Sequence, residues 1–255
     1  MNLRLVRHAT LLLKLGGKSI LVDPILAPKG SAEPVKGVAN QNWNPLVDIP
    51  FPAELLTSCD AVLVSHTHRD HFDEAAASLL PKGVQMFCQP QDGEKLMKYG
   101  FKNVTPIDKE VEWNGITITR TPAQHGHGIT ALKMAPVSGF VVRTPGEPSV
   151  YIAGDSVFYC ETEKVLKRYN PEIIICNAGE ATWDGTPITM GIKDIALLHS
   201  VSPEAKIVTV HMEAWNHCVL SREVLGKYIA EAGLAGSILI PADGEELIFS
   251  SDGSI

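Results

Sequence analysis

The chain has 255 residues, of which 45% are apolar and 20% are charged, and its formal net charge at pH 7 is −7. A chain of this length can bury one sizeable core, so we expect a single domain over residues 1–255. The acidic balance and the lack of a long basic stretch disfavour a nucleic acid as the main partner.

Three short apolar runs predict strands at the start of the chain, at residues 3–6, 11–15 and 19–22. Gly16, Gly17 and Lys18 form a hairpin turn between the last two. His8 lies between the first two strands, and it is interpreted as an edge or pocket-lining residue rather than as a metal ligand.

Residues 25–52 form a proline-rich segment in which neither a helical nor an alternating pattern persists. A long insertion of this kind in a compact domain is usually functional or disordered, and this one directly precedes a histidine-rich stretch. It is interpreted as a lid or as the wall of a pocket. Its Trp43 is either a substrate contact or an aromatic anchor in the core, and the sequence does not decide between them.

The histidine-rich stretch places three imidazoles and one carboxylate within six residues. These side chains are His66, His68, Asp70 and His71. The apolar run 60–64 before them predicts a buried strand, and residues 73–80 after them predict a helix. Imidazole and carboxylate groups suit zinc, iron or manganese. His66 and His68 can reach one metal, and Asp70 and His71 can reach a second.

Later strands are followed by further candidate ligands, which are His125, Asp155 and His211. If the strands lie side by side, all seven groups converge at one edge. Six of them can then form two three-ligand sites, and one carboxylate can bridge. Two metals about 3.5–4 Å apart can hold a hydroxide and a substrate oxygen together.

The other predicted elements complete an alternation of strands and helices. The strands are at 84–88, 104, 110–113, 116–120, 139–144, 149–153, 172–176, 206–210, 237–240 and 246–249. The helices are at 92–99, 161–169, 193–201 and 220–232. Residues 183–190 are predicted to form a loop.

Taken in order, the candidate ligands resemble the metallo-β-lactamase superfamily over essentially the whole chain. The motifs are His66-Thr67-His68-Arg69-Asp70-His71, His125, Gly154-Asp155 and His211. Leu21-Val22-Asp23-Pro24 and Thr189-Met190-Gly191 are similar to the group of L-ascorbate-6-phosphate lactonase and the N-acyl-phosphatidylethanolamine phospholipase D-like hydrolases. The resemblance implies an α/β fold with four layers, an αβ/βα sandwich of two mixed sheets flanked by helices.

The resemblance also implies roles for the candidate residues. The first metal would be held by His66, His68 and His125, the second by Asp70, His71 and His211, and Asp155 would bridge both. Zinc is favoured, with manganese or iron as alternatives, because these ligands serve all three. As catalytic residues, Asp70 can orient the nucleophile or pass a proton, and His217 can bind substrate or act as a general acid. Two alternatives stay open. His127 can replace His125 as a metal ligand, although His125 is favoured because it follows the strand directly, and His217 can be a loop histidine that lies near the site without a role in it.

The function implied is a dinuclear metal-dependent hydrolase, in which a bridging hydroxide attacks a lactone, ester or phosphodiester of a small molecule. Four cations can contact a phosphate or carboxylate, although a solvated surface position is favoured for each: Arg7, Arg69, Arg120 and Lys133. The alternatives are a nuclease-type phosphodiesterase, a redox enzyme and a non-catalytic metal-dependent ligand-binding protein. The nuclease and redox alternatives are disfavoured because the additional domains of such enzymes are not present in this sequence. The non-catalytic alternative is disfavoured because all seven candidate ligands are present.

Location is predicted from the N-terminus and the cysteines. Charges interrupt every apolar run in residues 1–10, so no signal-peptide core is expected. No run of about 18 apolar residues predicts a membrane span. The five cysteines include no Cys-x-x-Cys pair, which fits free thiols in a reducing compartment. We therefore expect a cytoplasmic protein, and the sequence leaves homo-oligomerisation open.

Overall fold

The structure, a computed structural model, describes residues 1–250, so the last five residues of the predicted domain lie outside it. The strands are β1 (Asn2–Arg7), β2 (Thr10–Leu15), β3 (Lys18–Val22), β4 (Ala61–Val64), β5 (Gln85–Cys88), β6 (Asn103–Pro106), β7 (Glu110–Trp113), β8 (Ile116–Pro122), β9 (Ser138–Arg143), β10 (Val150–Ile152), β11 (Ile173–Asn177), β12 (Thr182–Trp183), β13 (Thr186–Pro187), β14 (Lys206–Val210), β15 (Ile238–Leu239) and β16 (Glu246–Ile248). The α-helices are α1 (Glu74–Leu79), α2 (Gly93–Lys98), α3 (Gly128–Met134), α4 (Cys160–Tyr169), α5 (Ile192–Val201) and α6 (Arg222–Glu231).

Two seven-stranded sheets organise residues 1–250. The first has the order β16-β1-β2-β3-β4-β5-β6, and the second has the order β15-β14-β11-β10-β9-β8-β7. Each sheet combines antiparallel hairpins with a run of parallel strands. The predicted αβ/βα sandwich of two mixed sheets flanked by helices is therefore confirmed.

Alternation along the strands divides the core into layers. In β11, Ile173 and Ile175 face the first sheet, whereas Ile174 and Cys176 pack under helices on the outer face. The outer layer of the second sheet comes from α4, α5 and α6, and that of the first sheet includes α1. Strands buried on both faces read as continuous apolar runs, which explains why they were predictable.

Strand direction brings the ends of several strands to one edge of the sandwich. In the first sheet, β3 and β4 are parallel, so residues 23 and 65–71 leave at the same edge. In the second sheet, β10, β11 and β14 are parallel. β8 is antiparallel to β9, which is antiparallel to β10, so β8 runs in the same direction as β10. This edge is where the candidate ligands collect.

Two predicted features differ from the structure. The short hairpin β12–β13 spans residues 182–187 and so occupies the first part of the predicted loop 183–190. Helix α3 was not predicted, and none of its residues is buried. A short helix without a core-facing stripe leaves no 3.6-residue apolar pattern to detect.

Within residues 1–250, no helix combines the length and apolar character needed to cross a membrane. The cysteines of the chain are all free thiols.

Candidate active site

The loop after β4 presents four of the seven candidate ligands. The loop is closed by hydrogen bonds from the backbone N–H groups of His71 and Phe72 to the carbonyl oxygen of His68. Asp73 then caps α1, because its carboxylate accepts from the Ala76 N–H at 2.7 Å. The strand before the loop and the capped helix after it therefore hold this stretch at both ends.

Three strands of the second sheet bring the other candidate ligands to the same place. His125 follows β8, Asp155 follows β10, and His211 directly follows β14. Gly154 has φ of +63°, and a Cβ there would lie 2.6 Å from the Ser138 carbonyl oxygen, so glycine is required beside Asp155.

The carboxylate of Asp155 lies at the centre of the cluster. Its Oδ2 is 3.2 Å from His71 Nε2, 3.3 Å from His125 Nε2 and 3.9 Å from His66 Nε2. Its Oδ1 is 3.5 Å from His211 Nε2. One carboxylate therefore faces imidazoles of both predicted ligand sets.

Ligand-type atoms converge within 4.8 Å of one another in three groups. The first group is His66, His68 and His125, the second is Asp70, His71, Asp155 and His211, and the third is His8, His211 and Cys218. The first two groups correspond to the two predicted metal sites, with Asp155 assigned to the second. The structure thus brings together all seven predicted ligands, and their role as metal ligands stays a prediction.

Four imidazoles share one orientation, with Nδ1 held by the protein and Nε2 facing the cluster. His71 Nδ1 donates to Asp23 at 2.8 Å, and His125 Nδ1 donates to the Ile188 carbonyl at 2.7 Å. Ser65 Oγ lies 3.0 Å from His66 Nδ1, and Cys218 Sγ lies 3.5 Å from His211 Nδ1. Such contacts fix the tautomer of a metal-binding histidine.

The electrostatics of the cluster fit a bound cation. Burial alone would raise the pKa of Asp155, but His71, His211 and His125 hold it well below its usual range. Burial alone would lower the pKa of His71, but Asp155 and Asp23 raise it to about 10. Among the described residues, the buried Nε2 atoms of His71 and His211 have no hydrogen-bond partner. The buried carboxylates of Asp155 and Asp23 thus require positive charge nearby. A metal ion bound at Nε2 of His71 and His211 would supply it.

Asp70 lies beside three histidines on the other side of the cluster. Its Oδ2 is 3.6 Å from Nε2 of His8, 3.6 Å from Nε2 of His211 and 3.7 Å from Nε2 of His217. Burial lowers the pKa of His217 to about 4, so this imidazole is neutral at pH 7. His8 is fully buried, and its ring centroid lies 3.6 Å from that of His211, so the interpretation of His8 as an edge or pocket-lining residue is wrong.

A pocket of about 500 Å³ opens onto the cluster. Its lining combines apolar side chains with three exposed cations, Lys36, Arg69 and Lys133, and the exposed carboxylate of Glu33. The lining residues are Glu33, Pro34, Val35, Lys36, His68, Arg69, Asp70, Lys133, Met134, Trp183, Ile188, Trp215 and His217. Residues 33–36 belong to the predicted insertion, so the structure places part of that insertion in the wall of this pocket. We call residues 25–47 the wall segment.

Several sequence interpretations need correction. Trp43 is 54% exposed and absent from the lining, so it is neither a core anchor nor a contact in this pocket, where Trp183 and Trp215 stand instead. Arg7 is not a surface residue: it is fully buried, and its guanidinium donates to the carbonyls of Ile25, Ala27 and Val47.

Of the remaining alternatives, the structure places His125 in the cluster and leaves His127 exposed before α3. Arg69 and Lys133 line the pocket, whereas Arg120 pairs with Asp108 and lies outside the lining.

Sequence reasoning missed two residues that support the ligands. Asp23 orients His71, and Cys218 lies against His211. Asp23 carried a usable signal, since it follows a buried strand as the predicted ligands do. Cys218 carried none, because its contact depends on the close approach of Gly179, where a Cβ would lie 2.1 Å from the His211 carbonyl oxygen.

Comparison with known proteins adds independent findings. Residues 18–212 match the sequence profile of the beta-lactamase superfamily domain. The UPF0173 protein YddR of Bacillus subtilis (strain 168) is 40% identical over 254 residues, which span 98% of this chain and 100% of YddR.

Two solved structures are similar over nearly the full length. An isothiocyanate hydrolase from Delia radicum gut bacteria is 38% identical, with a TM-score of 0.94 over 98% of this chain and 100% of that one. A possible metal-dependent hydrolase from Veillonella parvula DSM 2008 is 36% identical, with a TM-score of 0.93 over 97% of this chain and 98% of that one.

Proposed function

This chain belongs to the beta-lactamase superfamily and is a metal-dependent hydrolase, and we propose that it holds two divalent metal ions and hydrolyses isothiocyanates. The superfamily resemblance drawn from the histidine and aspartate motifs is confirmed. Metal-dependent hydrolysis agrees with the predicted enzyme class and argues against a non-catalytic ligand-binding protein.

The observation that carries the proposal is the set of apolar side chains in the lining of the pocket, which also includes residues of the cluster. Trp183, Trp215, Met134 and Ile188 lie in the same lining as His68 and Asp70. An isothiocyanate has an electrophilic carbon attached through nitrogen to an uncharged organic group. Such a substrate can bury its organic group against these side chains while its carbon lies near the ligands. The similar isothiocyanate hydrolase supports this substrate class.

The proposed reaction consumes one water and needs no oxidant or reductant. Water oxygen bonds to the central carbon while the carbon–nitrogen π bond breaks toward nitrogen, and one water proton goes to that nitrogen, which gives a thiocarbamic acid. The carbon–nitrogen bond then breaks, its electron pair stays on nitrogen, and the hydroxyl proton transfers to that nitrogen. The products are a primary amine and carbonyl sulfide.

Residues of the chain bind and orient the reactants. Bound metal ions would lower the pKa of water toward about 7 and supply positive charge near the developing anion. The proposed ligands are His66, His68 and His125 for one ion and Asp70, His71 and His211 for the other, with Asp155 shared. The buried carboxylate of Asp70, ionised at neutral pH, can orient water and carry its proton to the substrate nitrogen. Neutral His217 contributes a hydrogen bond rather than acting as an imidazolium acid.

A second candidate is favoured by the cations in the lining of the pocket. Lys36, Arg69 and Lys133 line it, and among the described residues none of the three has a carboxylate within ion-pair distance. These cations suit an anionic substrate such as a phosphodiester, or a lactone that carries a phosphate or carboxylate.

One experiment separates these candidates. Purified protein is analysed for metal and then assayed with 2-phenylethyl isothiocyanate, a lactone panel and a p-nitrophenyl phosphodiester. The proposal predicts two equivalents of metal and chelator-sensitive release of 2-phenylethylamine. Lactone or phosphodiester hydrolysis without amine release would assign the second candidate, and full activity with one equivalent of metal would exclude the dinuclear site.

A further inference from the structure

The side-chain amide of Asn216 is buried and all of its hydrogen-bonding capacity is used. Its Oδ1 accepts from the Val35 N–H at 2.9 Å and from Asn44 Nδ2 at 2.8 Å. Its Nδ2 donates to the Val35 carbonyl at 3.0 Å and to the Asn40 carbonyl at 2.7 Å. A primary amide offers two donors and two acceptor positions, so none is left over. The partners all lie in the wall segment.

Asn44 completes the connection from the wall side. It is fully buried, and its Oδ1 accepts from the Asn216 backbone N–H at 2.8 Å. Nearby, the Leu46 N–H donates to the Ala214 carbonyl at 2.8 Å. The middle of the wall segment is therefore attached to residues 214–216 through buried polar contacts, which are costly to leave unpaired.

These contacts join two sides of the same pocket. Val35 lies in the pocket wall, and the neighbours of Asn216 in sequence, Trp215 and His217, line the pocket as well. We infer that Asn216 is a positioning residue that fixes the width of the pocket, and thereby selects substrates by the size of their organic group. The inference rests on the proposed use of this pocket by the substrate.

The ends of the wall segment are held separately. Arg7 binds the carbonyls of Ile25, Ala27 and Val47, so these positions do not depend on Asn216. Loss of the Asn216 contacts should therefore release only residues 33–44. Asn216→Asp tests these contacts most directly, because it keeps the shape of the side chain. It replaces the Nδ2 donor with an oxygen that faces the carbonyl oxygens of Val35 and Asn40.

The test measures binding of two probes to the metal-loaded enzyme. Acetohydroxamate and benzohydroxamate both bind metal ions through the same group, but only benzohydroxamate carries a ring that reaches the apolar lining. The variants are Asn216→Asp and, from the wall side, Asn44→Asp. Asn103→Asp is the control, because Asn103 is exposed and its amide donates to the Gly83 carbonyl away from the pocket.

We expect the Kd of benzohydroxamate to rise about 10-fold in Asn216→Asp, and that of acetohydroxamate to change by less than about 2-fold. Hydrogen exchange should become faster in residues 33–44 and stay the same around residues 25–27, with metal content unchanged. Asn44→Asp should reproduce this pattern even if Asn216→Asp does not fold, and Asn103→Asp should match the unmodified protein.

Unchanged benzohydroxamate binding in a folded variant with faster exchange at 33–44 would overturn the inference. Equal weakening of both probes together with metal loss would also overturn it, because the residue would then act on the metal ligands. Failure of the proposed function is a different result: isothiocyanates would not be hydrolysed by the unmodified protein, while the comparison of the two hydroxamates would still report the width of the pocket.

Discussion

The carboxylate of Asp23 accepts a hydrogen bond from Nδ1 of His71 at 2.8 Å while it also accepts from the N–H and hydroxyl of Ser65 at 2.7 and 2.6 Å. With Nδ1 donating to Asp23, Nε2 of His71 faces Asp155 at 3.2 Å. Because Asp23 is itself held by two donors of Ser65, the imidazole is oriented before any metal binds.

Asp23→Asn should weaken binding of one metal ion by about 10–100-fold, since the new amide can donate to Nδ1 and move the imidazole proton to Nε2. Chelator competition with elemental analysis measures this affinity. Asp60→Asn is a matched control, because Asp60 accepts comparable bonds from the N–H and hydroxyl of Ser19 at the opposite end of β4. If both variants bound metal equally well, Asp23 would have no orienting role.

Asp155→Ala should reduce metal content and abolish hydrolysis, because the carboxylate lies within 3.9 Å of imidazoles from both ligand groups. Its removal also takes away the negative charge that contributes most to raising the pKa of His71 and of His211. Elemental analysis and the isothiocyanate assay are the measurements. Full activity in this variant would remove the bridging assignment.

The stability of the metal-free protein should fall at alkaline pH. Burial lowers the pKa of His71, but Asp155 and Asp23 outweigh it and raise the value to about 10, whereas an unfolded histidine titrates near about 6.5. Between these two pH values, His71 keeps in the folded state a proton that it loses in the unfolded state. The contribution of this proton to the free energy of unfolding is therefore fully present below about pH 6.5 and is lost as the pH approaches about 10. Urea unfolding at several pH values measures it.

The metal-loaded protein is the control for this pH dependence. A metal ion at Nε2 of His71 replaces the proton, so the loaded protein should lack the His71 contribution, and loading at pH 8 should release protons. Calorimetry in buffers of different ionisation enthalpy counts the protons released. Identical pH dependence with and without metal would argue against His71 as a ligand.

Trp183→Ala should lower kcat/KM for 2-phenylethyl isothiocyanate by about 10-fold, mainly through KM, because an aromatic wall of the pocket is lost. Trp43→Ala is the matched control, since Trp43 is exposed and does not line the pocket. Steady-state kinetics measure both variants. Equal effects of the two substitutions would mean that Trp183 does not contact the substrate.

Local patterns carried most of the predicted fold. A buried parallel strand such as β4 reads as an apolar run, and the ligand loop and capped helix follow it directly in sequence. The ends of β8, β10 and β14 were recognisable for the same reason. Strand direction then brings them to one edge, so the candidate ligand set was predictable without knowing the pairing partners.

Contacts distant in sequence were not predictable. Asn44 and Asn216 are 172 positions apart, and each looks like an ordinary loop asparagine until the wall segment is folded onto residues 214–216. Arg7 likewise acquires its role only when residues 25–47 fold around its side chain. Such hydrogen bonds leave no periodic pattern, whereas burial of apolar faces does.

The division of strands between the two sheets has a consequence for assembly. β1 to β6 and β16 form one seven-stranded sheet, and β7 to β11, β14 and β15 form the other, so the chain changes sheet after Pro106. The first sheet supplies His66 to His71, and the second supplies His125, Asp155 and His211. A break in residues 107–109 would therefore divide the proposed metal ligands between two fragments, and metal ions bound by both sets would act as a cross-link that promotes reassociation of the fragments.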